Sequence, residues 1–186
     1  MHDKNKATLG VAGSVAAVVK ALASSPSVAA PRYHLLSSLA ELDHFHGNCT
    51  LAVRAGAVPV LVRILGGPAE DLSGASVFVL ARLARFEEGI KAIREMEGVT
   101  TLLVNGLRTG CTVSTESAME VLVRLLEENV QLMRDVAGSE ESSSLLVDLS
   151  ITGSPKLREK AGLMMKMMED SGVDCHAQGK LTTASS

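Results

Sequence analysis

Aromatic residues are nearly missing from this chain of 186 residues, which has one Tyr, three Phe and no Trp. With only Tyr33, Phe45, Phe78 and Phe86, platforms for stacking bases or sugars have almost no raw material. The core must be built from Leu, Val, Ile, Ala and Met. A surplus of charge is missing too. The formal net charge of −3 gives no global pull toward nucleic acid or anionic membrane. No run reaches the ~18 uncharged apolar residues of a membrane span. Cysteine is sparse and scattered, at Cys49, Cys111 and Cys175. An odd count at wide spacing suits free thiols in a reducing compartment, the cytoplasm or nucleus. No pair has the close spacing of a zinc site. What remains is aliphatic: 46% of the chain is hydrophobic and 21% charged, the balance of a folded chain rather than a disordered one.

The aliphatic residues are arranged in copies. "GSVAAVVKAL" begins at Gly13, "GAVPVLVRIL" at Gly56, "GVTTLLVNGL" at Gly98 and "EESSSLLVDL" at Glu140. The sixth place holds Val18, Leu61, Leu103 and Leu145. The seventh holds Val19, Val62, Val104 and Leu146, and the tenth Leu22, Leu65, Leu107 and Leu149. This spacing puts the apolar positions on one helical face. A short segment ending near a glycine precedes each pattern, as in "NCTLAVRAG". A turn follows: "SSPSVAAP", "GGPAEDLSG", "RTGCTVST" and "ITGSP". Then comes a longer helical stretch: "RYHLLSSLAELDHF", "ASVFVLARLARFEE", "ESAMEVLVRLLEEN" and "KLREKAGLMMKMMED". Leu36, Leu80, Leu122 and Met164 match there, as do Leu39, Leu83, Leu125 and Met167. Ser154-Pro155 predicts a sharp helix start, because Ser caps and Pro fits the first helical position.

The unit is a short, a medium and a long helix in about 42 residues, the period of the armadillo/HEAT class of α-solenoids. One such unit cannot bury its apolar face alone, so stacking has to complete the core. The expected fold is all-α, with units over about 1–46, 47–87, 88–128 and 129–170 forming one array, and a disordered tail over 171–186. Residues 1–23 also have the outline of a secretory leader. Lys20, however, interrupts the apolar run where Arg63 stands in the second copy, and the repeat reading is preferred.

"GNCTLAVRAGAVPVLVRIL" and "GSPKLREKAGLMMKMME" carry a resemblance to the armadillo-repeat family. The second is similar to the closing repeat of plant U-box armadillo proteins. The resemblance covers nearly the whole chain. It implies a right-handed superhelix whose third helices line a concave protein-binding surface. In the U-box relatives an upstream domain recruits a ubiquitin-conjugating enzyme. The first repeat here begins within ten residues of the start, so ligase activity is not expected of this chain. Importin-type relatives hold basic peptides with repeated Trp and Asn on the third helix. Here the Asn position reads Ser38, Arg82, Arg124 and Lys166, with no Trp, which points away from a nuclear-localisation-signal receptor.

Arg82, Arg124 and Lys166 recur at one period, so a solenoid would set them in a row. Guanidinium groups suit carboxylates and phosphates. Arg82, Arg85, Phe78, Arg124 and Lys166 are therefore the candidate partner-binding residues, for an acidic or phosphorylated peptide. The alternative is a solvated helix face, since Glu120 and Glu128 flank Arg124 and Asp170 follows Lys166 at helical spacing. Phe78 is equally well packing or a groove anchor. The methionines of "LMMKMME" either form an adaptable surface or close the core, with Met165 the most exposed. His44 and His46 lack a third ligand nearby and read as solvated or capping, not metal-binding. Cys175-His176 has no oxyanion donor loop around it, and Gly10 and Gly13 follow no strand and make no dinucleotide site. The expectation is a module without catalysis, cofactor or metal that binds proteins, not nucleic acid or membrane. It would act as an adaptor or regulator in ubiquitin-linked signalling. The alternatives are the substrate-binding part of a U-box ligase, and a scaffold that pairs with itself through its weakly polar end repeats.

Overall fold

The computed structural model describes residues 13–24, 29–108, 111–127, 129–170 and 172. Residues 1–12 of the possible leader, Gly10, Glu128, Cys175-His176 and all of the expected tail but residue 172 lie outside the described residues. Among the described residues the only regular elements are eleven α-helices. They are α1 (Ser14–Ser24), α2 (Ala29–Leu42), α3 (His46–Arg54), α4 (Ala57–Leu65), α5 (Glu70–Leu83), α6 (Glu87–Arg94), α7 (Val99–Gly106), α8 (Thr112–Leu126), α9 (Val130–Ala137), α10 (Glu140–Thr152) and α11 (Pro155–Asp170). Two short helices and a long one recur, at 9, 9 and 14 residues in α3–α5 and 8, 8 and 15 in α6–α8, and only α9–α11 run short, medium and long at 8, 13 and 16. No single one is long and apolar enough to cross a membrane. The chain divides into two compact units, Met1–Leu125 and Leu126–Ser186.

The glycines that open three of the copies have a backbone reason. Gly13, Gly56 and Gly98 have φ of 85°, 81° and 72°, in the left-handed region that a Cβ disfavours. Gly56 and Gly98 are the N-caps of α4 and α7. The fourth copy turns differently. Its N-cap is Ser139, whose hydroxyl accepts a hydrogen bond from the N–H of Ser142 at 3.3 Å, so a side chain satisfies the helix start and no left-handed residue is needed. Ser154 caps α11 in the same way, accepting from Leu157 N–H at 3.3 Å, as its pairing with Pro155 predicts.

In the first unit the core runs through Val19, Leu36, Leu61, Leu80, Leu103 and Leu122, all buried. In the second, Met133, Leu146, Leu157, Met164 and Met168 close together. The inward place is the sixth of the pattern in the second and third copies, and the seventh in the first and fourth, where Val18 and Leu145 are only half-buried. Met168, not Met167, is the inward partner of Met164 in α11. Leu157, Ala161, Met164 and Met168 form one stripe at spacings of three and four. Met165 is half-buried and Leu163 is exposed.

The long helices depart from the expected spans. α5 begins at Glu70 and α8 at Thr112, inside segments whose Gly, Ser and Thr content reads as turns. Tertiary packing overrides that weak signal. At Gly74 in α5 the missing side chain leaves room for Ser114 of α8, whose Oγ comes within 2.5 Å of where a Cβ would stand. The register of the first copy also shifts. Phe45 and Phe86 are both helix N-caps, and the bonds Phe45 N–H to Leu42 O and Phe86 N–H to Leu83 O repeat at 41 residues. Glu41, not Ser38, therefore stands where Arg82 stands, and Leu39 matches Leu80 rather than Leu83.

Candidate functional site

The first unit sets α2, α5 and α8 side by side as its long helices. A groove of about 560 Å³ runs across them, lined by Tyr33 and Glu41 from α2, Glu70, Asp71 and Phe78 from α5, and Val113 from α8. A second hollow of about 680 Å³ shares Tyr33, Glu70 and Asp71 and adds His34. Tyr33, Phe78 and Val113 are 48%, 37% and 56% exposed. Large apolar side chains left in water at one place are unusual for a surface with no partner. Among the described residues, neither hollow is lined by Lys or Arg.

Of the candidate cations, Arg82 packs against a residue of this groove, and the three arginines have contacts within the first unit. The Arg82 guanidinium carbon lies 5.9 Å from the centroid of the Phe78 ring, a cation–π arrangement. Its Nε is buried without a hydrogen-bond partner among the described residues. Arg85 Nε is 3.8 Å from Glu120 Oε1 on α8. Glu120 thus reaches a neighbouring helix as well as lying one turn from Arg124. Arg124 Nη1 donates to the Ala84 carbonyl at 3.3 Å, at the C-terminal end of α5 where a cation is favoured. Lys166 is exposed on α11 in the second unit. Phe78 serves both readings offered by the sequence: it packs against Arg82 and it lines the groove.

Behind Arg82 lies a buried carboxyl group. Asp43 is 3% exposed, and neither of its carboxyl oxygens has a hydrogen-bond partner among the described residues. Burial pushes its pKa up to about 7, and the Arg82 charge opposes the rise without cancelling it. Asp43 matches Ala84 in the 41-residue register, so Arg82 stands toward Asp43 as Arg124 stands toward Ala84. In both places an arginine of one long helix faces the end of the preceding one. Cys49 donates its thiol hydrogen to the Asp43 carbonyl at 3.1 Å. Burial, then the nearby Asp43 charge, pushes the Cys49 thiol up to about 12. Such a thiol is inert.

Cys111 is the opposite case. It is exposed, immediately precedes α8 and lines the groove. The N–H and hydroxyl of Ser114 and the N–H of Val113 donate to its sulfur, and these bonds lower its pKa. His44 and His46 are both exposed: His44 Nδ1 is 3.0 Å from the Ala40 carbonyl at the end of α2, and the His46 ring sits 4.2 Å from Phe86.

Sequence reasoning passed over Tyr33, Glu70, Asp71 and Cys111. For Tyr33 the signal was present: in a chain with four aromatics, one in a long helix that does not match the buried leucines asks for a purpose. Glu70 and Asp71 were hidden by the reading of their segment as a turn.

No protein-family model matches the chain. Over 118 residues, 62% of the chain, it is 30% identical to the U-box domain-containing protein 1 of Medicago truncatula, and it covers 17% of that protein's length. Among solved structures, a designed armadillo repeat protein matches over 92% of this chain and 76% of its own, with a TM-score of 0.73 and 18% identity. An engineered protein matches over 92% and 73%, with a TM-score of 0.73 and 21% identity. A second designed armadillo repeat protein, solved in complex with the peptide (KR)4, matches over 96% and 81%, with a TM-score of 0.59 and 16% identity. The fold is that of the armadillo-type α-solenoids, as the repeat period predicts. In sequence the chain is similar to part of a plant U-box protein.

Proposed function

We propose that this chain is a protein-interaction module that binds an extended segment of a partner across α2, α5 and α8, without chemistry of its own. One observation carries the reading: Tyr33, Phe78 and Val113, three of the few large apolar side chains left exposed, line a single groove. Exposed aromatics at a recess are the usual anchors of protein recognition. The likeness to a designed armadillo protein that holds a peptide supports the same reading. A phage-displayed peptide library tests it. Peptides should be selected whose binding is lost in Tyr33→Ser with Phe78→Ser, while helical content by circular dichroism stays unchanged. Selected peptides that bind the double variant equally well would remove the groove from the account.

A place in ubiquitin-linked signalling, as an adaptor or as the substrate-binding part of a larger ligase, is supported by the likeness to the Medicago truncatula protein. An antiserum against residues 56–170, used on extracts of the source cells, separates these two. A band at the size of this chain favours the adaptor. A much larger band favours the ligase, and the larger product is then assayed for ubiquitin transfer.

A further inference from the structure

The groove also carries information about which peptide it takes. Among the described residues, its lining and that of the adjoining hollow include Glu41, Glu70 and Asp71 and no Lys or Arg. Arg82 and Arg85, the nearest cations named above, are turned to Phe78 and to Glu120. An acidic or phosphorylated segment entering here would face carboxylates, and like-charge juxtaposition is costly. We infer that the groove's occupant is a peptide segment that carries lysine or arginine beside an apolar residue. This rests on the reading of the groove as a peptide site.

The assignment follows from charge and shape together. The apolar residue fills the recess between Phe78 and Val113. The neighbouring cation is drawn to Tyr33, whose exposed ring offers a negative face, and to Glu70 and Asp71, which border both hollows. This is not the repeated tryptophan and asparagine arrangement, which the chain lacks.

Glu70 and Asp71 have another use, because acidic residues in a first turn suit the positive end of a helix. The chain supplies its own control for that. Glu87 and Glu88 fill the same first-turn places in α6, are exposed, and line neither hollow. If dipole compensation were the whole account, neutralising either pair would have the same consequence.

Fluorescence anisotropy with the full chain tests the inference, using three matched peptides that alternate leucine with lysine, glutamate or glutamine. The lysine peptide should bind tightest, with affinity falling as salt is raised. Glu70→Gln with Asp71→Asn should weaken it about tenfold, the effect of two exposed ion pairs, while Glu87→Gln with Glu88→Gln leaves it unchanged. Asp71→Asn alone should give part of the loss, and it serves if the double variant loses helical content. Two outcomes overturn the charge assignment while the groove survives. One is a glutamate or glutamine peptide that binds as tightly as the lysine peptide and is still released by Tyr33→Ser with Phe78→Ser. The other is a lysine preference that persists after Glu70 and Asp71 are neutralised. If none of the three peptides depends on Tyr33 and Phe78, the groove reading fails and the charge assignment fails with it.

Discussion

Cys49 and Cys111 show how far one residue type can be moved by its surroundings. Cys49 is buried with its pKa raised to about 12, and Cys111 is exposed with its pKa lowered by three donated hydrogen bonds. The thiolate is the reactive form. Iodoacetamide at neutral pH should therefore modify Cys111 long before Cys49 in the native protein, as read by peptide mass spectrometry. Equal rates would mean that the environment of one of them is misassigned. Asp43 makes a second residue-scale case. Its carboxyl is raised from 3.8 to about 7, so the folded state holds its proton more tightly than the unfolded chain. The linkage sign follows: Asp43 costs no stability below about pH 4, costs progressively more as pH rises toward 7, and levels off above that. Asp43→Asn should raise the thermal midpoint at pH 8 more than at pH 5. Parallel curves for the two proteins would contradict the assignment.

Among the elements, the helix starts carry the repeat signature. Gly56 caps α4 at φ 81°, and no atom lies within 4 Å of where its Cβ would be. Space is open, so a substitution there meets only conformational strain. Gly56→Ala should cost about 1–2 kcal/mol in urea denaturation. A neutral outcome would show that the turn relaxes to another conformation. Gly89 in α6 is constrained differently, because a Cβ there would meet the carbonyl of Leu83. Its counterpart Asn48 donates its side-chain amide to the Leu42 carbonyl at 2.9 Å. The two copies thus join helix end to helix start differently, with a glycine that lets the carbonyl come close in one and an amide that hydrogen-bonds it in the other. Letter-by-letter comparison of copies aligns the leucines of α2 three residues out, while the caps at Phe45 and Phe86 align them correctly.

For the molecule as a whole, stability in a repeat array is close to a sum of unit and neighbour terms. Leu61 is fully buried. Leu61→Ala should cost about 2–5 kcal/mol, a large share of the ~5–15 kcal/mol that holds a typical domain. Chemical denaturation with circular dichroism measures it, and a loss below 1 kcal/mol would remove Leu61 from the core.

The repeat, the all-helical fold and the aliphatic core were legible in the sequence, because helix periodicity and the left-handed glycines are local and leave fixed spacings. The cap at Ser154 was legible for the same reason. What each cation faces was not. Arg82, Arg85 and Arg124 look like a row when counted along the chain. Phe78 lies one helical turn from the first, within reach of sequence spacing, but only packing brings buried Asp43 to the first, Glu120 to the second and the Ala84 carbonyl to the third. The groove was equally hidden, since Tyr33, Glu70 and Val113 come from three helices that lie far apart in sequence. The sequence by itself determined the kind of scaffold, through interactions within a turn or two of helix. The tertiary structure alone decided which side chains share the groove and the sign of its charge, because both depend on contacts between repeats that no local spacing encodes.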